Sequence, residues 1–153
     1  MEHYHHNQYK EVVADAGYER LDNDLYMDST GQICFIKSAN YDQSRSSKFK
    51  KQLGHIENME YDVEEDCITC AQGRQLSLRR EHSKFRNGQM VSTAWYRCDS
   101  CDGCPCRSQC CQAKDQAKPK ELMLKKVLGD MRVMGAKNIT TSRGIHLRLC
   151  RSS

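Results

Sequence analysis

No stretch of this sequence is apolar for long enough to cross a bilayer, which takes about 20 consecutive residues. Its opening, MEHYHHNQYK, also lacks the apolar run of a secretory leader. The first absence excludes a helical membrane protein and leads us to expect a soluble chain. The second argues for a reducing compartment, the cytoplasm. Apolar residues are scarce, 38% of the chain against 29% charged, so any core is expected to be thin. There is no internal repeat. The 153 residues suit one domain, or one domain with a small insertion.

Cysteine, by contrast, is abundant. The chain has 10, and six of them fall within YRCDSCDGCPCRSQCC, Tyr96 to Cys111. Clustered thiols in a reducing compartment are metal ligands more often than disulfides. Zinc takes four soft or borderline ligands in a tetrahedron, commonly from two Cys-x2-Cys knuckles. Cys67 and Cys70 have that spacing, as do Cys98 and Cys101, and Cys101 and Cys104. CPCRSQC then leads on to Cys110. A hairpin between residues 70 and 98 would bring the knuckles together, as in a zinc ribbon. One structural Zn2+ is therefore expected, with more thiols than one ion can use. Cys34, Cys106, Cys111 and Cys150 read as spare. A redox dithiol is the weaker reading, because no strand–CxxC–helix context surrounds the knuckles.

The net charge of +4 conceals an asymmetry. Residues 1–66 hold twice as many Asp/Glu as Lys/Arg, and residues 67–153 nearly three times as many Lys/Arg as Asp/Glu. A basic half fits a polyanion such as nucleic acid, although a merely solvated basic surface has the same composition.

Along the chain, KEVVA (Lys10 to Ala14) reads as a strand, Glu19 to Asp28 as a short helix and Gln32 to Ile36 as a second strand. That order suggests a piece of an α/β sheet. Residues 37–58 read as a polar loop with an exposed helical stretch. GRQLSLRR and MVSTAWYRC read as strands, with a hairpin turn at RNG, Arg86 to Gly88. Residues 117–135 are ambiguous: Pro119 could open a helix, yet ELMLKKV could be a strand. NITTSRGIHLRLCRSS carries no cap signal. Asp15 falls where the first strand ends, followed by Gly17. A carboxylate there can hold a divalent cation against a phosphate, although Asp is also a common turn former at strand ends. The acidic run DVEED, residues 62–66, reads as solvated loop.

Taken in order, VVADAGYE, IKSANYDQSRSSKFKK, ENMEYD, CAQGRQL, WYRCDSCDGCPCRSQC and TTSRGIHLRLCRS resemble bacterial insertion-sequence transposases of the DDE type. The subgroup is the one with a cysteine cluster inserted in the catalytic domain. The resemblance runs from about residue 10 onward. It implies an RNase H-like fold in which two aspartates and a glutamate hold two Mg2+ ions for cleavage and strand transfer at DNA ends. Asp15 corresponds to the second aspartate. The zinc ligands carried over are Cys70, Cys101, Cys104 and Cys110, with Cys67 and Cys98 as substitutes.

The first aspartate has no counterpart before Asp15. The glutamate that would follow RLCRS, Arg148 to Ser152, also has none. The expectation is thus an α+β chain: a partial RNase H-like segment over 1–58, a zinc-binding insertion over 59–118 and a basic segment over 119–153. It is an internal fragment of a transposase, inactive alone, with DNA as partner and a homo-oligomer in the intact family. The alternative is a small non-enzymatic zinc-ribbon module that binds nucleic acid.

Overall fold

The computed structural model describes residues 9–111, 115 and 117–150. Strand β1, Glu11–Ala14, is built on Val12 and Val13, whose branched side chains favour extended chain. Asp15 continues it in extended conformation, and Ala16–Tyr18 makes one 3-10 turn. Helix α1, Leu21–Ser29, has Asp22 and Asp24 in its first turn, where carboxylates oppose the helix dipole. Gly31, at φ 66°, turns the chain into strand β2, Ile33–Ile36. β2 runs parallel to β1, with Val12 opposite Cys34 and Val13 opposite Phe35, so the segment is a β-α-β unit. This strand–helix–strand order is the one expected from the sequence.

Two short helices follow, α2 at Tyr41–Arg45 and α3 at Ser47–Lys50. The Ser46 hydroxyl caps α3 by accepting from Phe49 N at 3.1 Å. Strands β3 (Glu60–Asp62), β4 (Cys67–Thr69), β5 (Gln75–Arg86) and β6 (Gln89–Cys98) come next. β5 and β6 are joined through Asn87 and Gly88, both at positive φ, as a tight hairpin turn demands. Helix α4, Arg107–Cys110, precedes strand β7, Glu121–Leu124. Helices α5 (Lys126–Thr140) and α6 (Ser142–Cys150) end the described chain. The ambiguous stretch 117–135 thus resolves into both readings, ELML as strand and the residues from Lys126 as helix. The architecture is mixed α+β. Among the described residues, no helix is long and apolar enough to cross a membrane.

The elements form two compact units. The first is drawn from Met1–Tyr41, Phe85–Val91 and Val127–Ser153. Its two-stranded sheet would leave the β2 edge bare, but α5 covers that edge. Asn138 Nδ2 donates to Cys34 O at 3.0 Å, and a Cβ on Gly135 would lie 3.2 Å from Ile36 O. On α6, Arg143 pairs with Glu11 of β1 at 2.5 Å, and on α5 Arg132 pairs with Glu19 at 2.6 Å. α5 and α6 meet at Gly144, where a Cβ would overlap the Asn138 carbonyl and come within 2.8 Å of Ile139 Cα.

The second unit, Asp42–Lys84 and Ser92–Lys126, is organised on an antiparallel sheet in the order β3-β4-β5-β6-β7. Its core is Ile68, Leu76, Ala94, Tyr96, Cys98 and Cys101. Tyr96 is fully buried, and its hydroxyl donates to Asp66 at 2.6 Å. Tyr61 donates to the same oxygen at 2.6 Å, and Lys126 Nζ lies 3.1 Å from it. Asp66 occupies a left-handed conformation, φ 46°, so the turn after DVEE is held by this network. The acidic run is therefore not wholly solvated loop: its last residue binds the sheet together.

Candidate functional site

The residues singled out in the sequence fall in two places among the described residues, one in each unit. In the second unit, Cys70 follows β4 in a tight turn. Gly73 N donates to Cys70 O at 2.8 Å, and Cys70 N donates to Arg74 O at 2.9 Å. Cys98 ends β6, and Cys101 and Cys104 lie in the turn beyond it, where Cys104 N donates to Cys101 O at 3.3 Å. Cys110 ends α4. Arg74 stitches the two knuckles by donating to Ser100 O at 2.7 Å and Asp102 O at 2.9 Å. Lys120 ties in the third element, its Nζ donating to Cys110 O at 2.6 Å and Gly54 O at 2.9 Å.

The structure brings Cys70, Cys101, Cys104 and Cys110 around one cavity of about 20 Å³, together with Cys98 and Cys111. That is room for one water-sized sphere. Cys67 and Cys106 do not line it. Among the described residues, no group of three or more His, Cys, Asp or Glu is drawn close enough to hold a metal ion. The thiols therefore surround a common space without converging on a point.

They also differ from one another. Cys101 Sγ accepts from Lys120 N at 3.3 Å. Cys98 instead donates its S–H to Ser100 O at 3.1 Å. Burial pushes the Cys98 thiol up, and neighbouring Cys101 adds to the rise. At Cys110 burial raises the thiol while the Lys120 ammonium pulls it down. The donor set fits a zinc-type ion in its chemistry: four thiols from two knuckles and a helix end, with backbone N–H support.

In the first unit, Asp15 stands exposed at the carboxyl end of β1. It lines an open cleft of about 760 Å³ with Lys37, Phe35 and, from α6, Ile145, Arg148 and Leu149. Clefts outside the carboxyl ends of parallel strands are where α/β sheets bind ligands. Among the described residues, Asp15 is the one acidic residue lining this cleft, against two basic ones. One carboxylate beside a lysine and an arginine does not fit a pair of Mg2+ ions, which need carboxylates on both. The cationic pair suits an anionic group. Sequence reasoning missed Arg74 and Lys120, because each bonds partners distant in the chain.

A family model described as "Transposase DDE domain" matches residues 69–153. The match includes all four cavity cysteines carried over by resemblance, as well as Arg148, and leaves Asp15 outside. No curated protein and no solved structure matches the chain.

Proposed function

The chain belongs to the DDE transposase domain family, and we propose that it acts in DNA transposition as part of a bacterial insertion-sequence enzyme. In this reading residues 1–58 are a segment of the RNase H-like catalytic fold, residues 59–118 a zinc-ribbon-like insertion and residues 119–153 a basic return toward the catalytic core. The carrying observation is that the family match runs through the thiol cavity and on to Arg148. It favours a transposase over a free-standing zinc-ribbon module.

Cys70, Cys101, Cys104 and Cys110 would hold one Zn2+, which supplies structure and no chemistry. Ligands of such sites seldom preform, so ion binding and the closing of the thiols are one event. Cys98 stays a thiol, because its proton is committed to Ser100 O.

Asp15 is the counterpart of the family's second aspartate, and Mg2+ is the ion such domains use. DNA is the partner, a homo-oligomer the assembly and the cytoplasm the compartment. Strand β5 is exposed along nearly its whole length and carries Arg79, Arg80, Lys84 and Arg86, which suits phosphate contact.

With one carboxylate in the Asp15 cleft among the described residues, the isolated chain is expected to bind DNA without cutting it. Duplex binding should weaken steeply as salt rises, with little sequence preference. Supercoiled plasmid in Mg2+ or Mn2+ should show no nicking above an Asp15→Ala control. Metal-dependent nicking that the control abolishes would overturn the inactivity. Absence of DNA binding at low salt would overturn the reading itself.

A further inference from the structure

Cys150 read as a spare thiol, and the thiol cavity does not use it. In the structure it is exposed on α6, with Sγ 3.5 Å from His146 Nε2 and 4.0 Å from Nδ1. The two residues are four apart on one helix, so they project from the same face, one turn above the other. The separation is informative. With Zn–S about 2.3 Å and Zn–N about 2.1 Å, two ligands of one tetrahedral zinc lie about 3.6 Å apart. The same spacing suits a weak S–H···N hydrogen bond, so the pair is set at ligand distance before any ion binds.

We propose that His146 and Cys150 form a two-ligand surface site for a borderline divalent cation of the Zn2+ type. The site is distinct from the cysteine cavity. Imidazole and thiolate together select zinc and cobalt over magnesium or calcium. Two ligands leave two positions for water or an anionic oxygen, so this is an open site where the cavity is a closed one.

The neighbours bear on it in both directions. Arg143, one turn before His146, opposes a second cation, and its pairing with Glu11 offsets part of that opposition. The cleft-lining residues Ile145, Arg148 and Leu149 occupy another side of the helix, so an ion here need not displace a ligand from the cleft. Binding replaces the thiol proton, which is released to solvent, and requires a neutral imidazole.

The inference does not depend on the transposase reading, and its test scores metal at one named residue. The full chain, reduced, is alkylated with a maleimide with and without Zn2+, and the modification of Cys150 is followed by mass spectrometry of its peptide. Zinc is expected to slow Cys150 alkylation by about tenfold in the wild type, since the metal-bound thiolate is a poorer nucleophile. His146→Ala should lose this protection and Cys104→Ser should keep it. Both α6 residues are exposed, so the fold should survive, which circular dichroism checks. Co2+ added to the wild type should develop one more equivalent of thiolate-to-cobalt charge-transfer absorbance than in Cys150→Ser. Equal protection of Cys150 in wild type and His146→Ala would overturn the proposal, as would no protection in either.

Discussion

Cys101 is 9% exposed and takes a hydrogen bond from the Lys120 backbone, whereas Asp15 stands exposed at the mouth of a cleft. The thiol cavity is part of the core of its unit: Cys98 and Cys101 pack with Ile68, Leu76 and Tyr96 as apolar side chains. Protonated thiols are small and weakly polar, so the core tolerates them before any ion arrives. A cluster of carboxylates could not be stored in that way, since burying their charge unpaired would unfold the unit. An acidic site must instead sit at an open strand end and draw its ligands from several elements. The β1–β2 end offers one carboxylate.

The comparison breaks most readily at the ion. On the zinc reading proposed above, stripping the ion with a chelator, or replacing Cys104 with Ser, should cost the second unit several kcal/mol, because binding at such a site is folding free energy. The first unit should be nearly unaffected. Hydrogen exchange that speeds up at Ile68 and Tyr96, but not at Val12 and Val13, would meet this expectation. Equal loss in both units, or in neither, would refute it.

A smaller effect, directed at the other unit, comes from Gly144→Ala. The added methyl meets backbone of α5 rather than a side chain that can rotate away. A loss of about 2–3 kcal/mol is expected, read from the urea midpoint of the first unit. A neutral result would mean that the α5–α6 corner opens freely.

The smallest effect sharpens the contrast through two aspartates that titrate in opposite directions. Hydrogen bonds from Tyr61 and Tyr96, then Lys126, hold the Asp66 carboxyl below its usual range. Its contribution is present above the unfolded value of 3.8 and is lost as pH falls through the lower folded one. Burial, helped by Glu19, raises Asp24 to about 6. Its contribution is complete below 3.8 and is lost as pH rises through about 6. Acidifying from neutral pH to about pH 5 should thus stabilise the first unit by at most about 1 kcal/mol, after allowance for solvent screening, and leave the Asp66 contribution intact. Asp24→Asn should abolish the gain. A gain that persists in that variant assigns it to another group.

What could be read directly were features whose cause is local. Val12 and Val13 favour strand, Asn87-Gly88 adopts the left-handed angles of a hairpin turn, and Cys-x2-Cys spacing sets a knuckle within four residues. These readings match β1 and the β5–β6 turn. Helix α6 gave no such signal. Its apolar residues Ile145 and Leu149 line a cleft rather than a core, and Gly144 in its first turn serves a backbone contact with Asn138 and Ile139. Residues 117–135 were ambiguous because ELML has strand character while the following residues have helical spacing. Pairing of Leu122 with Tyr96 and of Leu124 with Ala94 is what makes the first part a strand.

The amino-acid sequence thus determined which segments could be strands, turns and knuckles, because φ/ψ preference and ligand spacing act over a few residues. Tertiary structure alone decided which thiols share a cavity, that Arg74 and Lys120 fasten them and that α5 covers the β2 edge. Each of those depends on parts of the chain brought together by packing, and a hydrogen bond or a metal ligand is defined by distance in space, which sequence order does not encode.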